Sequence, residues 1–428
     1  MVAIPILRQV SKRAWLQPPL DRMMAPFNLF DPQRYVDPYP LYERARREGA
    51  VFFHERARTW FVTGYAEAEE VLRGPGSVDR SGDMERFRPY SQLAPSTREL
   101  FNSMMLMKDP PDHGRLRRLV NRAFTPRAVT DLEPRVEGIT KDLLGEVGGA
   151  RSIDAMERFA DRLPIYVIAE MLGLPAKQRD QLKRISDVAA QFIDAISGFD
   201  PREMDSHIGD FVRLMEPVIE AREREPENDI LSALIAAEEG GDRLSRQELL
   251  SMVMLLMVAG HETTSGLIGN ALVALDRHRD ARQLLLGEPS IAENAVEEFL
   301  RFDSPVQYTA RFSMADFEVG GHTIKRGDPI IVLLGAANHD PRRYEAPHWL
   351  RLDRPDPRPI SFGHGAHHCL GAALARLEAR IAIPAFVEAF PNYRVDEQTL
   401  AWKQSNTLRG PKHLPIELTP PTPPKRSK

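Results

Sequence analysis

Residues 362 to 371 read Phe-Gly-His-Gly-Ala-His-His-Cys-Leu-Gly, and Cys369 is the only cysteine among 428 residues. The thiolate is the reactive form of such a side chain, as nucleophile or metal ligand. The following run, Leu370 to Arg380, has a strong helical pattern. Cys369 therefore stands near a helix N-terminus, where the dipole and unpaired N–H groups are expected to lower a thiol pKa. Gly363, Gly365 and Gly371 let backbone pass close to a flat group, and Phe362 is placed to shield the sulfur from water. Competing readings are weaker. Zinc would need regular Cys or His pairs from two separated segments, and a disulfide within the chain would need a second cysteine. A lone cysteine is ordinarily a small buried hydrophobe, but not amid glycines and histidines.

The elements that must position this loop can be read around it. Ser245-Arg246-Gln247-Glu248 is a capping box, and no proline follows until after Arg277. Leu249, Val253, Leu256, Gly260, Thr263 and Leu267 share one helical face. A helix of this extent is on the order of 48 Å long. His261 and Glu262 interrupt its apolar run, so a buried core helix is favoured over a membrane span, which needs ~20 apolar residues. In its middle stand Ala259-Gly260-His261-Glu262-Thr263-Thr264. An acid and an alcohol in an apolar stripe are costly without a purpose; the ordinary alternative is a threonine bonded back to a carbonyl. Glu298 and Arg301 lie at i, i+3, a spacing that by itself is usually a minor surface pair. Asp112 reads as an N-cap after two prolines. Beyond it His113, Leu116, Arg117, Val120 and Phe124 share a face, with Arg115, Arg118 and Arg122 opposite. The second set reads as solvent-exposed; a cationic pair on an apolar face calls for an anion.

Taken together, Phe362-x-x-Gly365-x-His367-x-Cys369-x-Gly371, Ala259-Gly260-His261-Glu262-Thr263-Thr264 and Glu298-x-x-Arg301 resemble the cytochrome P-450 family. The resemblance spans nearly all of residues 26 to 417. It implies a mainly α fold with small β-sheets (α+β), haem b lying between the long helix and the Cys-loop helix, and an axial thiolate from Cys369. A proximal thiolate pushes electron density onto iron and favours O–O cleavage. On the same resemblance Glu262 and Thr263 handle protons, and Ala259 and Gly260 leave room for dioxygen. His113, Arg117, Arg311 and His367 would meet the haem propionates. Phe362 and Gly371 would line the cofactor, and Glu298 with Arg301 would brace its proximal side. Met84, Phe87, Met105, Phe192, Leu256, Val306 and Leu408 would belong to the substrate pocket, though any one of them could be ordinary core. As a set they suit an apolar lipid, terpenoid or polyketide-like substrate. The chain departs from the family at Trp349, where a basic partner of Glu298 and Arg301 is expected; His348, Arg351 or Arg354 could substitute. Pro384 should kink or end the helix after Cys369.

Composition sets the remaining bounds. Hydrophobic content of 42% and charged content of 28% are those of a globular protein. A formal net charge of −4 gives no reason to expect nucleic acid. The apolar start of the chain is too short for a signal peptide or anchor, so a soluble, cytoplasmic, bacterial-type protein is expected, with no integral membrane association. Residues 1 to 25 read as an N-terminal extension, 26 to 417 as one haem-thiolate domain, and 418 to 428 as a disordered tail. Residues 74 to 108 read as a long loop. No flavin, nicotinamide or iron–sulfur set is present. The expected reaction is insertion of one atom of O2 into a C–H bond of a small apolar substrate. Electrons would come from a ferredoxin and its NAD(P)H-dependent reductase, docking near Arg115, Arg118, Arg122 and Arg376. A peroxide-driven or isomerising haem-thiolate enzyme and a haem-based sensor or ligand carrier are the alternatives; the Glu262–Thr263 pair argues against both.

Overall fold

The long helix forms as its caps specify. In the computed structural model, which describes residues 32–74, 88–193 and 199–418, it runs Arg246–Arg277. The Ser245 hydroxyl accepts from the Glu248 N–H, and the Glu248 carboxylate accepts from the Ser245 N–H. The main helices are α1 Asp112–Ala123, α2 Glu133–Val147, α3 Arg162–Met171, α4 Arg179–Ile193, α5 Pro201–Arg224, α6 Arg246–Arg277, α7 Ala292–Phe302 and α8 Ala372–Ala389. Helix α6 packs against α3, α4 and α8, and α8 also packs on α2 and α7. These helices enclose one large apolar core running from Tyr90 to Leu418. Helix α6 is the one described helix long and apolar enough to cross a membrane, and most of it is buried inside the protein.

Strands are few and short, as their scattered sequence signals imply. The largest sheet joins β1 Val51–His54, β2 Thr59–Val62, β3 Thr309–Phe312 and β4 Pro329–Val332 in the order β1-β2-β4-β3. β1 and β2 are an antiparallel hairpin, β2 and β4 run parallel, and β3 returns antiparallel on β4. Near the C-terminus β5 Ala401–Trp402 and β6 Pro411–His413 form a two-stranded hairpin. Its turn, residues 403–410, lies against α6.

Three local expectations change. Within 74–108, the described part holds a helix, Pro95–Asn102, and a 3₁₀ turn, Met105–Met107. Pro95 sits at the helix start, where its missing N–H costs nothing, and Leu100 and Phe101 are buried. Pro384 does not end α8, which continues to Ala389. Burial of Ile383, Phe386 and Val387 outweighs the ~3 kcal/mol of an interior proline. Asp112 is the first helical residue and makes no capping bond; its charge still favours the N-terminus.

Candidate active site

The Cys369 loop is shaped by its glycines. Gly363 and Gly365 have φ of +67° and +69°, the left-handed region that disfavours side chains. A Cβ on Gly365 would also fall 2.4 Å from the Leu72 carbonyl oxygen. These two glycines therefore serve the turn and its packing. Gly371 differs: its φ is negative and a Cβ there meets nothing within 4 Å. The Cys369 N–H donates to the Phe362 carbonyl at 2.9 Å, closing the loop, and the Arg376 guanidinium lies 4.5 Å over the Phe362 ring.

Cys369 keeps an exposed face, yet its thiol is packed deeply enough for burial to push it up, against the Gly371 N–H, Arg117 and Arg376. The expected lowering at the helix start is thus reversed. Desolvation of a thiolate outweighs one N–H and two offset cations.

Helix α1 brings His113 and Arg117 to the same place. His113 is buried and its ring lies 4.1 Å from that of His367. Burial, then the Arg117 charge, push His113 down; burial pushes Arg117 down against the pull of Cys369. Neither makes an ion pair among the described residues, and His113 Nε2 is buried with no hydrogen-bond partner. Such a pair fits an anion. Arg311, on β3, is buried and donates to Thr309 Oγ1 and the Ala310 carbonyl.

On α6, Leu256, Ala259, Gly260 and Thr263 retain surface within an otherwise buried stretch. Their 3–4 spacing makes one open stripe at mid-helix. Thr263 Oγ1 donates to the Ala259 carbonyl at 2.6 Å, the back-bond an ordinary helical threonine makes; its oxygen lone pairs stay available. Glu262, set off that stripe by its place in the helix, pairs with Lys403, whose Nζ lies 2.5 Å from Oε2. Burial pushes Glu262 up, but the Lys403 ammonium, with His261 and Lys183, overcomes it and leaves the carboxyl at about 2.

Glu298 and Arg301 are far more than a surface pair. Both side chains are completely buried. All five N–H groups of Arg301 are used, on both Glu298 oxygens and on the carbonyls of Asn338, Pro347 and Trp349. The third partner is Arg354, whose Nε reaches both Glu298 oxygens at 3.0 and 3.1 Å. Trp349 is 69% exposed and contributes only its carbonyl. Arg351 contributes its backbone N–H to Glu298, and His348 turns to Glu43 and His339.

Sequence reasoning missed the residues that hold the head of the Cys loop. Ser361 Oγ donates to the Leu300 carbonyl, Asn338 Nδ2 donates to Ser361 and Ser304, and Asn338 Oδ1 accepts from the Ile360 N–H. Lone serines and asparagines spaced over nearly sixty residues carry no pattern. Lys403 was missed for the same reason. Of the pocket residues, Met84 and Phe87 lie outside the described residues. Phe192 and Met105 are core, with Phe192 stacked 3.8 Å from Phe101. Leu408 forms an isolated bridge with Val306, and Leu256 and Val306 keep surface. The docking arginines are not a free basic patch. Arg115 pairs with Glu248 and Asp242, Arg118 with Glu239, and Arg376 with Glu297, while Arg122 makes no ion pair among the described residues.

The residues present therefore fit a haem: one thiol, a buried imidazole and a half-buried guanidinium beside it with no ion pair among the described residues, open space at Gly371, and an open stripe on α6. A family model described as Cytochrome P-450 matches residues 150–412. The vitamin D(3) 25-hydroxylase of Pseudonocardia autotrophica is 38% identical over 401 residues, covering 92% of this chain and 96% of that protein. The 6-deoxyerythronolide B hydroxylase of Saccharopolyspora erythraea is 37% identical over 402 residues, covering 90% and 96%. The solved structure of the bacillaene polyketide synthase cytochrome P-450 from Bacillus subtilis matches with a TM-score of 0.81 at 34% identity, over 92% of this chain and all of that one. By motif, fold and these relatives alike, the chain belongs to the bacterial-type cytochrome P-450 family of haem-thiolate monooxygenases.

Proposed function

We propose that the protein hydroxylates a bulky apolar small molecule of the steroid, terpenoid or polyketide kind, with Cys369 as the axial ligand. The carrying observation is the Cys369 loop, whose thiol lies beside buried His113 and half-buried Arg117, neither of which makes an ion pair among the described residues. Haem supplies the activation of O2 when bound. The chain's own residues do the rest. Cys369 would hold the iron, and Phe362, with Arg376 over its ring, would shield the sulfur once haem is bound. His113 and Arg117, with Arg311 and His367, meet the propionates. Thr263 Oγ1 and Glu262 hold and pass protons at the O2 side. Leu256 and Val306 turn apolar surface to the substrate, while Leu408, Phe192 and Met105 back the pocket from the core. The substrate class draws support from the relatives, whose printed names are of a vitamin D(3) and a 6-deoxyerythronolide B hydroxylase.

Electrons come from a separate ferredoxin and its NAD(P)H-dependent reductase in the cytoplasm. Because most candidate docking arginines are already paired, recognition depends more on shape and on exchange of these pairs than on a free positive field. The test is the absorption spectrum of the reduced, carbon monoxide-bound protein beside that of Cys369→Ser. A strongly red-shifted Soret band in the parent, lost in the variant, is expected. A histidine-type band in both refutes Cys369 as ligand. Ligand-induced shifts of the ferric spectrum across steroid, terpenoid and macrolide panels then test the substrate class.

A further inference from the structure

The turn 403–410 touches α6 backbone to backbone. A Cβ on Gly266 would fall 2.8 Å from the Arg409 carbonyl oxygen, and one on Gly410 would fall 2.9 Å from the Gly266 Cα. One helical turn further on, Asn270 Nδ2 donates to the same Arg409 carbonyl at 3.3 Å. The other side of the turn is tied down as well. The Arg409 N–H donates to the Pro305 carbonyl, and the Gln307 N–H to the Thr407 carbonyl. The Lys403 N–H donates to the Gly410 carbonyl at 3.0 Å, fixing the lysine's backbone relative to that glycine contact. Glu262 lies one turn before Gly266, so this seating carries Lys403 Nζ to within 2.5 Å of Glu262 Oε2.

We infer that Lys403 is a positioning residue for the Glu262 carboxylate, and that the Gly266–Gly410 contact sets the pairing by fixing how closely the turn packs on α6. The inference rests on the reading of Glu262 as the proton-handling acid and adds what controls it. Lys403 holds Glu262 as a paired carboxylate, so Glu262 accepts a proton only when the pair loosens. Leu408 is in the same turn and bridges Val306, both on the proposed substrate side. A substrate that presses on this turn therefore acts on the acid through backbone alone.

The other charged groups facing Glu262 come from two elements besides its own. Helix α4 contributes Lys183 and Asp187, which pair with each other at 2.8 Å. Asp161, just before α3, accepts from Ser265 and is pushed up by burial. His261, beside Glu262 on α6, bonds Ser186 and is pushed down by burial. None of these replaces the 2.5 Å contact. The protein contains its own control: Glu378 on α8 is buried with no cation paired to it among the described residues, and burial pushes it up to about 8.

The experiment is a pH titration of the Glu262 carboxyl by infrared spectroscopy of ¹³C-glutamate-labelled haem protein, with the band assigned by Glu262→Gln. In the parent, Glu262 remains ionised down to about pH 4 or below. In Lys403→Met its midpoint rises by at least about 3 units, the scale of unopposed burial, and Lys403→Arg restores the low midpoint. Gly266→Ala changes no charge but lifts the turn, and raises the midpoint as well. Lys403→Met is also expected to change the ratio of hydrogen peroxide to product and the solvent isotope effect. A Lys403→Met midpoint still below about 4 overturns the positioning role. A parent-like midpoint in Gly266→Ala overturns the role of the glycine contact. A raised midpoint with unchanged peroxide ratio and isotope effect upholds the positioning and removes Glu262 from proton delivery. A parent-like Soret spectrum and helical circular dichroism show that each variant is folded.

Discussion

Arg354 offers the sharpest test of the proximal framework, because the family pattern points elsewhere, to position 349. Replacing Arg354 with methionine removes a guanidinium that contacts both Glu298 oxygens. It also strips donors from the carbonyls of Glu345, Ala346 and Trp349. Glu298 keeps Arg301, so its charge is not orphaned. Breaking a buried pair costs about 3–5 kcal/mol, and the retained partner places Arg354→Met toward the lower half. An unfolding entropy of about 2 cal/mol/K per residue over 428 residues converts this into a Tm lower by roughly 3–5 °C. Trp349→Arg installs the family's usual basic residue at an exposed position and should change stability by less than about 0.5 kcal/mol. The assay is thermal unfolding followed by circular dichroism, with the Soret band reporting the Cys loop in parallel. The reasoning fails if Arg354→Met melts within 1 °C of the parent while Trp349→Ala loses several degrees, for then the third partner is not Arg354.

Other outcomes follow from the same geometry. Gly365→Ala should disorder the Cys loop and lower Tm, because its Cβ would meet the Leu72 carbonyl at 2.4 Å. Gly371→Ala should leave the stability of haem-free protein unchanged yet lower haem retention, as judged by the Soret-to-280 nm ratio. Thr263→Ala loses only a helix back-bond, so it should fold normally but divert electrons from product to peroxide; normal coupling would remove Thr263 from proton handling. Glu378 should make stability fall as pH rises. Its folded pKa of about 8 exceeds the unfolded value near 4.3, so the folded state binds more protons between the two and stability drops across that window. Glu378→Gln should flatten this slope in urea unfolding at pH 5 and 8, and a slope identical to the parent's would refute the ionisation assigned to Glu378.

The elements legible in the sequence were those whose cause is local. The capping box at Ser245 and Glu248 fixed where α6 begins, and its proline-free apolar run fixed its length. The strands at Val51–His54 and Thr59–Val62 have a cause of the same local kind, aromatic and β-branched residues on either side of a polar turn. The Cys369 loop was legible because its glycines, histidines and thiol lie within ten residues. Readings that weighed one local force against a distant one failed. Pro384 breaks helices in isolation, but the face it interrupts is held by Phe386 and Val387 in the core. A helix start lowers a thiol pKa in water, whereas packing around the Cys369 thiol pushes it up.

The site's control groups are the least legible, and the reason is geometric rather than statistical. Lys403 and Glu262 are 141 residues apart, and neither has a sequence neighbour that predicts the other. What joins them is the absence of side chains at Gly266 and Gly410. A glycine signals permission for close approach without naming the partner, and two such permissions become informative only when the fold matches them. The same holds for Arg354, whose guanidinium reaches Glu298 across 56 residues because a bent segment presents the carbonyls of Glu345, Ala346 and Trp349 to one buried fork. A sequence fixes its cofactor ligand through adjacency, but it fixes the ionisation of its buried acids through backbone distances of a few ångströms. Substitutions that enlarge a glycine far from the iron are therefore expected to alter proton handling as strongly as substitutions of the charged residues themselves. The comparison of Gly266→Ala with Lys403→Met measures this directly, since the first changes only a distance and the second only a charge.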